Sequence, residues 1–369
     1  MRGDVADGVP DAVEPPDGNP HYPLLDVLRA LAAITVVAFH ATQFRGIGFA
    51  RDVGIHLDVG VTVFFVLTGF LLYRPMLAAR DGAAPGTPVR IFYWRRVLRI
   101  APAYWVALLV LAPIITLGGS GIANYTFTQV YDPDLVLTGI PPAWTVCVEV
   151  SFYLVLPLYA WVATRVAGTS IRRELVLLGL LALLSVGFRL WVRRIGTDVS
   201  YLAPLPGMLG WFVVGMAIAV LTRHGDRTVL TRLAARPLLC WGTAALIYAG
   251  VSFSEQSGIA STGLFVAYGA IAGLVVLPST APGRAEGRGR TFAALSWLGL
   301  ISYGIYLYHY PLMRWLSDNV EVYDRGGFVL IGVLSLAAAV VAGALSYYLL
   351  EKQVLRLKRV DPVGRLLRR

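Results

Sequence analysis

Arg29 and His40 stand eleven residues apart in "LDVLRALAAITVVAFHATQF", residues 24 to 43, a stretch that is otherwise almost wholly apolar. Imidazole is the side chain whose ordinary range suits proton transfer near neutrality, and a guanidinium stays charged and forks onto phosphate or carboxylate. On a helix, eleven residues make about three turns with roughly 20° of drift, so the two groups share a face about 16 Å apart. Asp26, one turn before Arg29, is placed to pair with it. Three further apolar segments carry comparable groups: Glu149 in "AWTVCVEVSFYLVLPLYAW", His309 in "SWLGLISYGIYLYHYPLM", and Arg95, Arg96 and Arg99 in "RRVLRIAPAYW". Taken singly, each has a plain reading as a snorkelling group, a topology charge or part of an interfacial aromatic belt. Together they supply an acid, two imidazoles and a guanidinium cluster, a convergence that marks a candidate functional site.

The elements that position these groups follow from composition. The 369 residues are 57% apolar and 15% charged, against about a quarter charged in a soluble domain. Ten apolar runs of roughly 17 to 25 residues, each long enough to cross about 30 Å of hydrocarbon as helix, begin near Leu24, Leu57, Val97, Ala143, Glu174, Ala203, Pro237, Ile259, Ala294 and Gly326. The expected fold is all-α, a polytopic bundle of about ten membrane helices. Continuous apolar runs exclude a β-barrel, whose strands alternate. Residues 1–20 are acidic and rich in Pro and Gly, and read as a disordered tail rather than a cleaved signal; 21–351 read as the membrane domain and 352–369 as a basic cytoplasmic tail. The two cysteines, Cys147 and Cys240, lie inside apolar runs and support neither a disulfide framework nor a metal cluster. Cys147 also lies about 200° around the helix from Glu149, which suits packing better than nucleophilic chemistry.

The net charge of +10 is distributed in a way that argues for lipid and against nucleic acid. Alternate loops and the C-terminal tail hold twenty-three Lys or Arg against seven in the opposite set, a positive-inside bias that places both termini in the cytoplasm. With that orientation, His40 lies about 24 Å from the inner edge and Glu149 roughly 9 Å below the outer edge, with His309 at a similar level. Arg29, Arg95, Arg96 and Arg99 collect at the cytoplasmic pole. Acid and imidazole at matched depth, here His40 and Glu149, are expected to face each other or a wet cavity, which marks the pair as a candidate functional site.

At these residues the chain resembles the integral-membrane acyltransferase family three, whose members O-acetylate lipopolysaccharide, peptidoglycan and other glycans and acylate some macrolide sugars. The likeness runs from about Tyr22 to Glu351. It is carried by "LDVLRALAAITVVAFH" with its Arg-x10-His, "DVGVTVFFVLTGFLL", the Arg-x-x-Arg of Arg96 and Arg99, "AWTVCVEVSFYL" and "ISYGIYLYHYPL". Where members often read Trp-Ser-Leu-x-x-Glu-Glu-Gln-Phe-Tyr, this chain has Thr145 for Ser and Val150 and Ser151 after a retained Glu149. The family's optional soluble appended domain, associated with acceptor handling, has no counterpart in these residues.

The resemblance implies transfer of an acyl group, acetyl in the first instance, from cytoplasmic acyl-CoA to a hydroxyl of a carbohydrate or glycosylated acceptor, with no permanently bound cofactor and no metal. Arg96 and Arg99, helped by Arg95, would hold the CoA phosphates, with Arg29 continuing the cationic lining inward. The pantetheine arm is comparable in length to the Arg29–His40 separation. His40 would act as general base and Glu149 would orient its ring; direct attack and a covalent acyl-histidine both remain open. Thr145, Tyr306 and His309 are the expected acceptor-binding groups. The competing class is a transporter or flippase with Arg29, His40 and Glu149 as a proton or anion relay, against which stands the lack of mirrored halves. The preference for Arg over Lys suggests a GC-rich bacterial genome and hence a bacterial plasma membrane. The His21-x4-Asp26 spacing, with Pro23 inside it, is read as chance, and the Asn124 sequon matters only in a glycosylating host.

Overall fold

The computed structural model describes residues 22–45, 49–117, 121–196, 199–224, 229–254, 261–280, 289–320 and 327–359. The acidic tail expected at 1–20 and the last ten residues of the basic tail lie outside them. The described residues form fifteen α-helices and no strand: α1 Pro23–Arg45, α2 Phe49–Gly54, α3 Val59–Arg80, α4 Val89–Leu111, α5 Gly121–Tyr125, α6 Trp144–Val166, α7 Ile171–Arg194, α8 Leu205–His224, α9 Val229–Ala234, α10 Pro237–Val251, α11 Thr262–Val276, α12 Arg290–Leu300, α13 Ser302–Asn319, α14 Gly327–Ser346 and α15 Lys352–Leu355. A π-helical turn, Tyr347–Glu351, joins the last two.

Seven helices are long and apolar enough to cross a membrane, and eight if α12 and α13, bent by 70° at their junction, count as one broken span. The expected ten is reached only by adding α4 and α10. The first has the length but carries Arg90, Arg95, Arg96 and Arg99, and the second has only 15 residues. The bend between α12 and α13 falls at Ile301, whose φ of −91° and ψ of 5° leave the helical well between Gly299 and Ser302.

The segment around α3 is the centre of the bundle: 72% of its apolar window is buried, against 22% for the windows of α7 and α14, which sit at the periphery. Bilayer hydrocarbon is as apolar as leucine, so helices in it associate through close backbone approach rather than through burial from water. Small residues provide that approach. A Cβ on Gly69 would strike the backbone of Phe212, and one on Gly215 the backbone of Val66, so α3 and α8 meet main chain to main chain. Gly304 and Gly343 do the same for α13 and α14. α3, α12, α13 and α14 all pack on α1, 44% of whose apolar stretch is buried, and its Arg29–His40 face is turned on protein.

Residues 352–359, expected to be part of a cytoplasmic tail, form helical turns packed on α4, with Trp94 Nε1 donating to the Leu357 carbonyl at 3.2 Å.

Candidate active site

Two polar regions lie along α1. At its start, Arg29 donates from Nη1 to Asp26 Oδ1 at 2.9 Å, the pairing expected from the spacing. Arg29 lines a cavity of about 140 Å³ together with Arg96 and Arg99 of α4, Thr145 and Glu149 of α6, and Tyr306 of α13. Arg95 does not line it; its Nε is buried without a partner. Arg96 also has a buried Nε without a partner, and no close ion pair fixes Arg96 or Arg99 among the described residues. Its guanidinium sits over the rings of Phe92 and Tyr153, 5.8 Å from each centroid.

Glu149 belongs to this cavity. Thr68 of α3 donates to its Oε1 at 2.5 Å, and Arg96 and Tyr153 are within electrostatic reach. It forms no hydrogen bond with His40. Of the two expected surroundings, Glu149 has the cavity and not the imidazole: acid meets guanidinium there, one turn along α6 from Thr145.

The second region is built on His40, three turns along α1. Its Nδ1 lies 2.9 Å from the Val36 carbonyl and 3.2 Å from Nε2 of His309. The His309 Nδ1 in turn lies 2.8 Å from the Tyr306 carbonyl. Phe39, His309 and Tyr310 box the His40 ring at centroid distances of 4.8, 5.0 and 5.0 Å. Nε2 of His40 has no hydrogen-bond partner among the described residues.

Between the regions stand Thr145 and Tyr306. The Tyr306 hydroxyl donates to the Pro142 carbonyl at 2.8 Å and lies 2.6 Å from Thr145 Oγ1. Phe64 packs edge-on against the Tyr306 ring at 6.1 Å, and the His309 ring lies 5.6 Å from it. The bend at Ile301 makes this possible, because it starts a new helix whose first residues, Ser302, Tyr303 and Tyr306, face the cavity.

A third buried imidazole shows what a structural histidine looks like here. His56 has one nitrogen 2.9 Å from the Tyr268 hydroxyl and the other 2.8 Å from the Ser254 carbonyl, and Tyr268 donates to Asp58 at 2.7 Å. Both nitrogens are engaged, so it offers no basic atom to a substrate.

The family follows from a match over most of the chain. A family model described as an acyltransferase domain matches residues 22–347. The chain is a member of the family-three membrane acyltransferases. It is 27% identical over 363 residues to the putative membrane-bound transacylase BcsY of Komagataeibacter xylinus, covering 92% of this chain and 84% of the relative. It is 26% identical over 369 residues to the peptidoglycan O-acetyltransferase OatA of Listeria monocytogenes, covering 90% of this chain and 56% of the relative. The putative peptidoglycan O-acetyltransferase YrhL of Bacillus subtilis is 25% identical over 362 residues, at 90% and 55%. The chain thus spans about half the length of these two peptidoglycan O-acetyltransferase relatives. No solved structure matches it. Family membership, bacterial relatives and several membrane-length apolar helices make it an integral protein of a bacterial plasma membrane.

Four polar cavity residues, Thr68, Tyr153, Ser302 and Tyr303, escaped the sequence reading. Thr68 and Tyr153 lie inside quoted family segments, "DVGVTVFFVLTGFLL" and "AWTVCVEVSFYL" with its continuation, and a hydroxyl in each apolar run was the available signal. Tyr303 donates to the Ile100 carbonyl at 3.0 Å, and nothing in its aromatic surroundings marked it out. Glu351, buried at the end of the π-turn, accepts from Ser346 at 3.1 Å and lies within electrostatic reach of Arg99. Cys147 is a packing residue with its thiol on the Ala143 carbonyl, and Asn124 is buried and bonded to Thr138.

Proposed function

We propose that this chain is a membrane-embedded O-acyltransferase that moves an acyl group, acetyl in the first instance, from cytoplasmic acyl-CoA to a hydroxyl of a carbohydrate or glycosylated acceptor. The observation that carries the donor is the cavity: three guanidiniums face one space, and among the described residues neither Arg96 nor Arg99 makes a direct ion pair, Glu149 and Glu351 acting on them only at longer range. Guanidinium forks suit phosphate, and burying such cations without an anionic ligand costs several kcal/mol. The relatives OatA and YrhL, a peptidoglycan O-acetyltransferase and a putative one, favour a glycan acceptor and an acetyl group.

In this reading the CoA phosphates lie on Arg96 and Arg99, with Arg95 nearby on the same helix, and Arg29 lines the route inward. The thioester arm points along α1 toward the Thr145–Tyr306 boundary. His40 Nε2 takes the proton of the acceptor hydroxyl as its oxygen attacks the thioester carbonyl. The C–S bond breaks, and the leaving CoA thiolate takes a proton from the imidazolium. Glu149 serves this chemistry from the donor side, as the counter-charge that sets Arg96, with Thr68 holding its carboxylate.

The test is transfer of labelled acetyl from acetyl-CoA to a chito-oligosaccharide by the purified full chain in detergent. Wild type should transfer the label and His40→Ala should not. Label transfer undiminished in His40→Ala would overturn the assignment, and proton or anion movement without acyl transfer would favour the relay reading.

A further inference from the structure

We infer that His309 is the positioning residue of the general base: a neutral imidazole that fixes the tautomer of His40 and stabilises the imidazolium formed during transfer. The inference rests on the reading of His40 as the base and gives His309 a different role from acceptor binding.

Hydrogen accounting carries it. A backbone carbonyl can only accept, so the 2.9 Å contact of His40 Nδ1 with the Val36 carbonyl requires a proton on Nδ1. The same logic at 2.8 Å from the Tyr306 carbonyl puts a proton on Nδ1 of His309. In a neutral His309 ring, Nε2 then carries a lone pair, and that atom lies 3.2 Å from the His40 Nδ1. The His40 N–H is thereby shared between two acceptors, one a helix carbonyl and the other the His309 nitrogen. A second proton on His309 would set donor against donor across the same gap. His40 is left with one basic nitrogen, Nε2, and that is the atom without a partner among the described residues.

The consequence for transfer is electrostatic. When Nε2 accepts the acceptor's proton, positive charge spreads over the ring to Nδ1–H, which already points at two lone pairs. A hydrogen bond from a charged donor is roughly twice as strong as a neutral one, so the pair strengthens as charge develops. A carboxylate does this in a hydrolase triad. Here the groups lie inside apolar helices, where an uncompensated carboxylate costs several kcal/mol and a neutral acceptor does not. His309 is itself fully buried and fixed at both nitrogens, with the Tyr306 ring on one side and the His40 ring on the other. Its geometry is therefore set before substrate arrives.

The experiment compares His309→Leu, His309→Gln and His309→Asn in the purified full chain, with acetyl-CoA and a chito-oligosaccharide and with free CoA thiol as the readout. Leu removes the acceptor; Gln restores a carbonyl oxygen at similar reach. His309→Leu is expected to lower kcat about 10- to 100-fold with KM for both substrates within about twofold, and His309→Gln to recover most of the loss. The double variant His40→Ala with His309→Leu should be no slower than His40→Ala alone. A raised KM for the oligosaccharide at unchanged kcat, equal losses for Leu and Gln, or additivity with His40→Ala would overturn the inference. Should the Leu variant fail to fold, Gln against Asn, whose carbonyl is one methylene short, carries the same comparison. Full transfer by His40→Ala itself would bring down the base assignment instead, which keeps the two failures apart.

Discussion

The two polar regions on α1 hold their buried ionisable groups by opposite means. In the cavity at the start of the helix, guanidiniums are set among carboxylates: Asp26 on Arg29, Glu149 in the field of Arg96, and Glu351 near Arg99. In the imidazole layer three turns on, no carboxylate among the described residues takes part. His40 and His309 are held by the helix carbonyls of Val36 and Tyr306 and by each other. The first arrangement leaves charge in place and is suited to receiving a polyanion. The second leaves one nitrogen free and is suited to moving a proton. A buried charge and a buried base are different devices, and one helix face carries both.

Substitutions on the two sides should separate in kinetics. The largest effect falls on the imidazole layer: His40→Ala should lower kcat by about 10²- to 10⁴-fold while thermal stability in detergent stays near wild type. Parallel loss of stability would make His40 a packing residue. Next, Arg96→Ala with Arg99→Ala should raise KM for acetyl-CoA about 10- to 100-fold, roughly 1.4 kcal/mol for each tenfold, with kcat much less affected. Unchanged donor KM in that variant would leave the cavity without its assigned ligand.

Glu149→Gln decides to which region the acid belongs. The amide oxygen can still accept from Thr68, so the local fold survives, and the expected outcome is a donor KM raised about tenfold at a kcat within about threefold of wild type. A collapse of kcat to the level of His40→Ala would instead tie Glu149 to the base. The smallest effect is expected at the boundary. Tyr306→Phe removes the hydroxyl bonded to Pro142 and Thr145 and should cost about 0.5 to 1.5 kcal/mol of stability, read as a modest fall in unfolding temperature, with kcat changed less than about threefold. A loss of transfer comparable to His309→Leu would make the tyrosine part of the chemistry.

Much of this was legible in the sequence. Long apolar runs dictated a helical membrane bundle because hydrocarbon leaves the backbone no partner but itself. The eleven-residue spacing placed Arg29 and His40 on one face, and the three-residue spacing of Asp26 and Arg29 gave their ion pair. The number of spans was less legible. Arg90, Arg95, Arg96 and Arg99 in α4 and the 15 residues of α10 leave both short of the composition or length that a lipid-facing span requires. Depth assigned by counting residues also failed to predict the partner of Glu149. The rise along a helix fixes height within about a turn, and the rotation of α6 against α3 decides which neighbour the carboxylate meets.

By itself, then, the sequence determined which groups enter the membrane and which of them share a helix face, because those depend on local periodicity and on the transfer cost of each residue. Only the tertiary structure decided that Glu149 sits with the arginines and His309 with His40. Those pairings depend on helix rotation, on the 70° bend at Ile301, and on backbone contacts at Gly69, Gly215, Gly304 and Gly343 that bring α3, α8, α13 and α14 together. Side-chain partners across helices are set by packing over long sequence separations, and no local pattern encodes them.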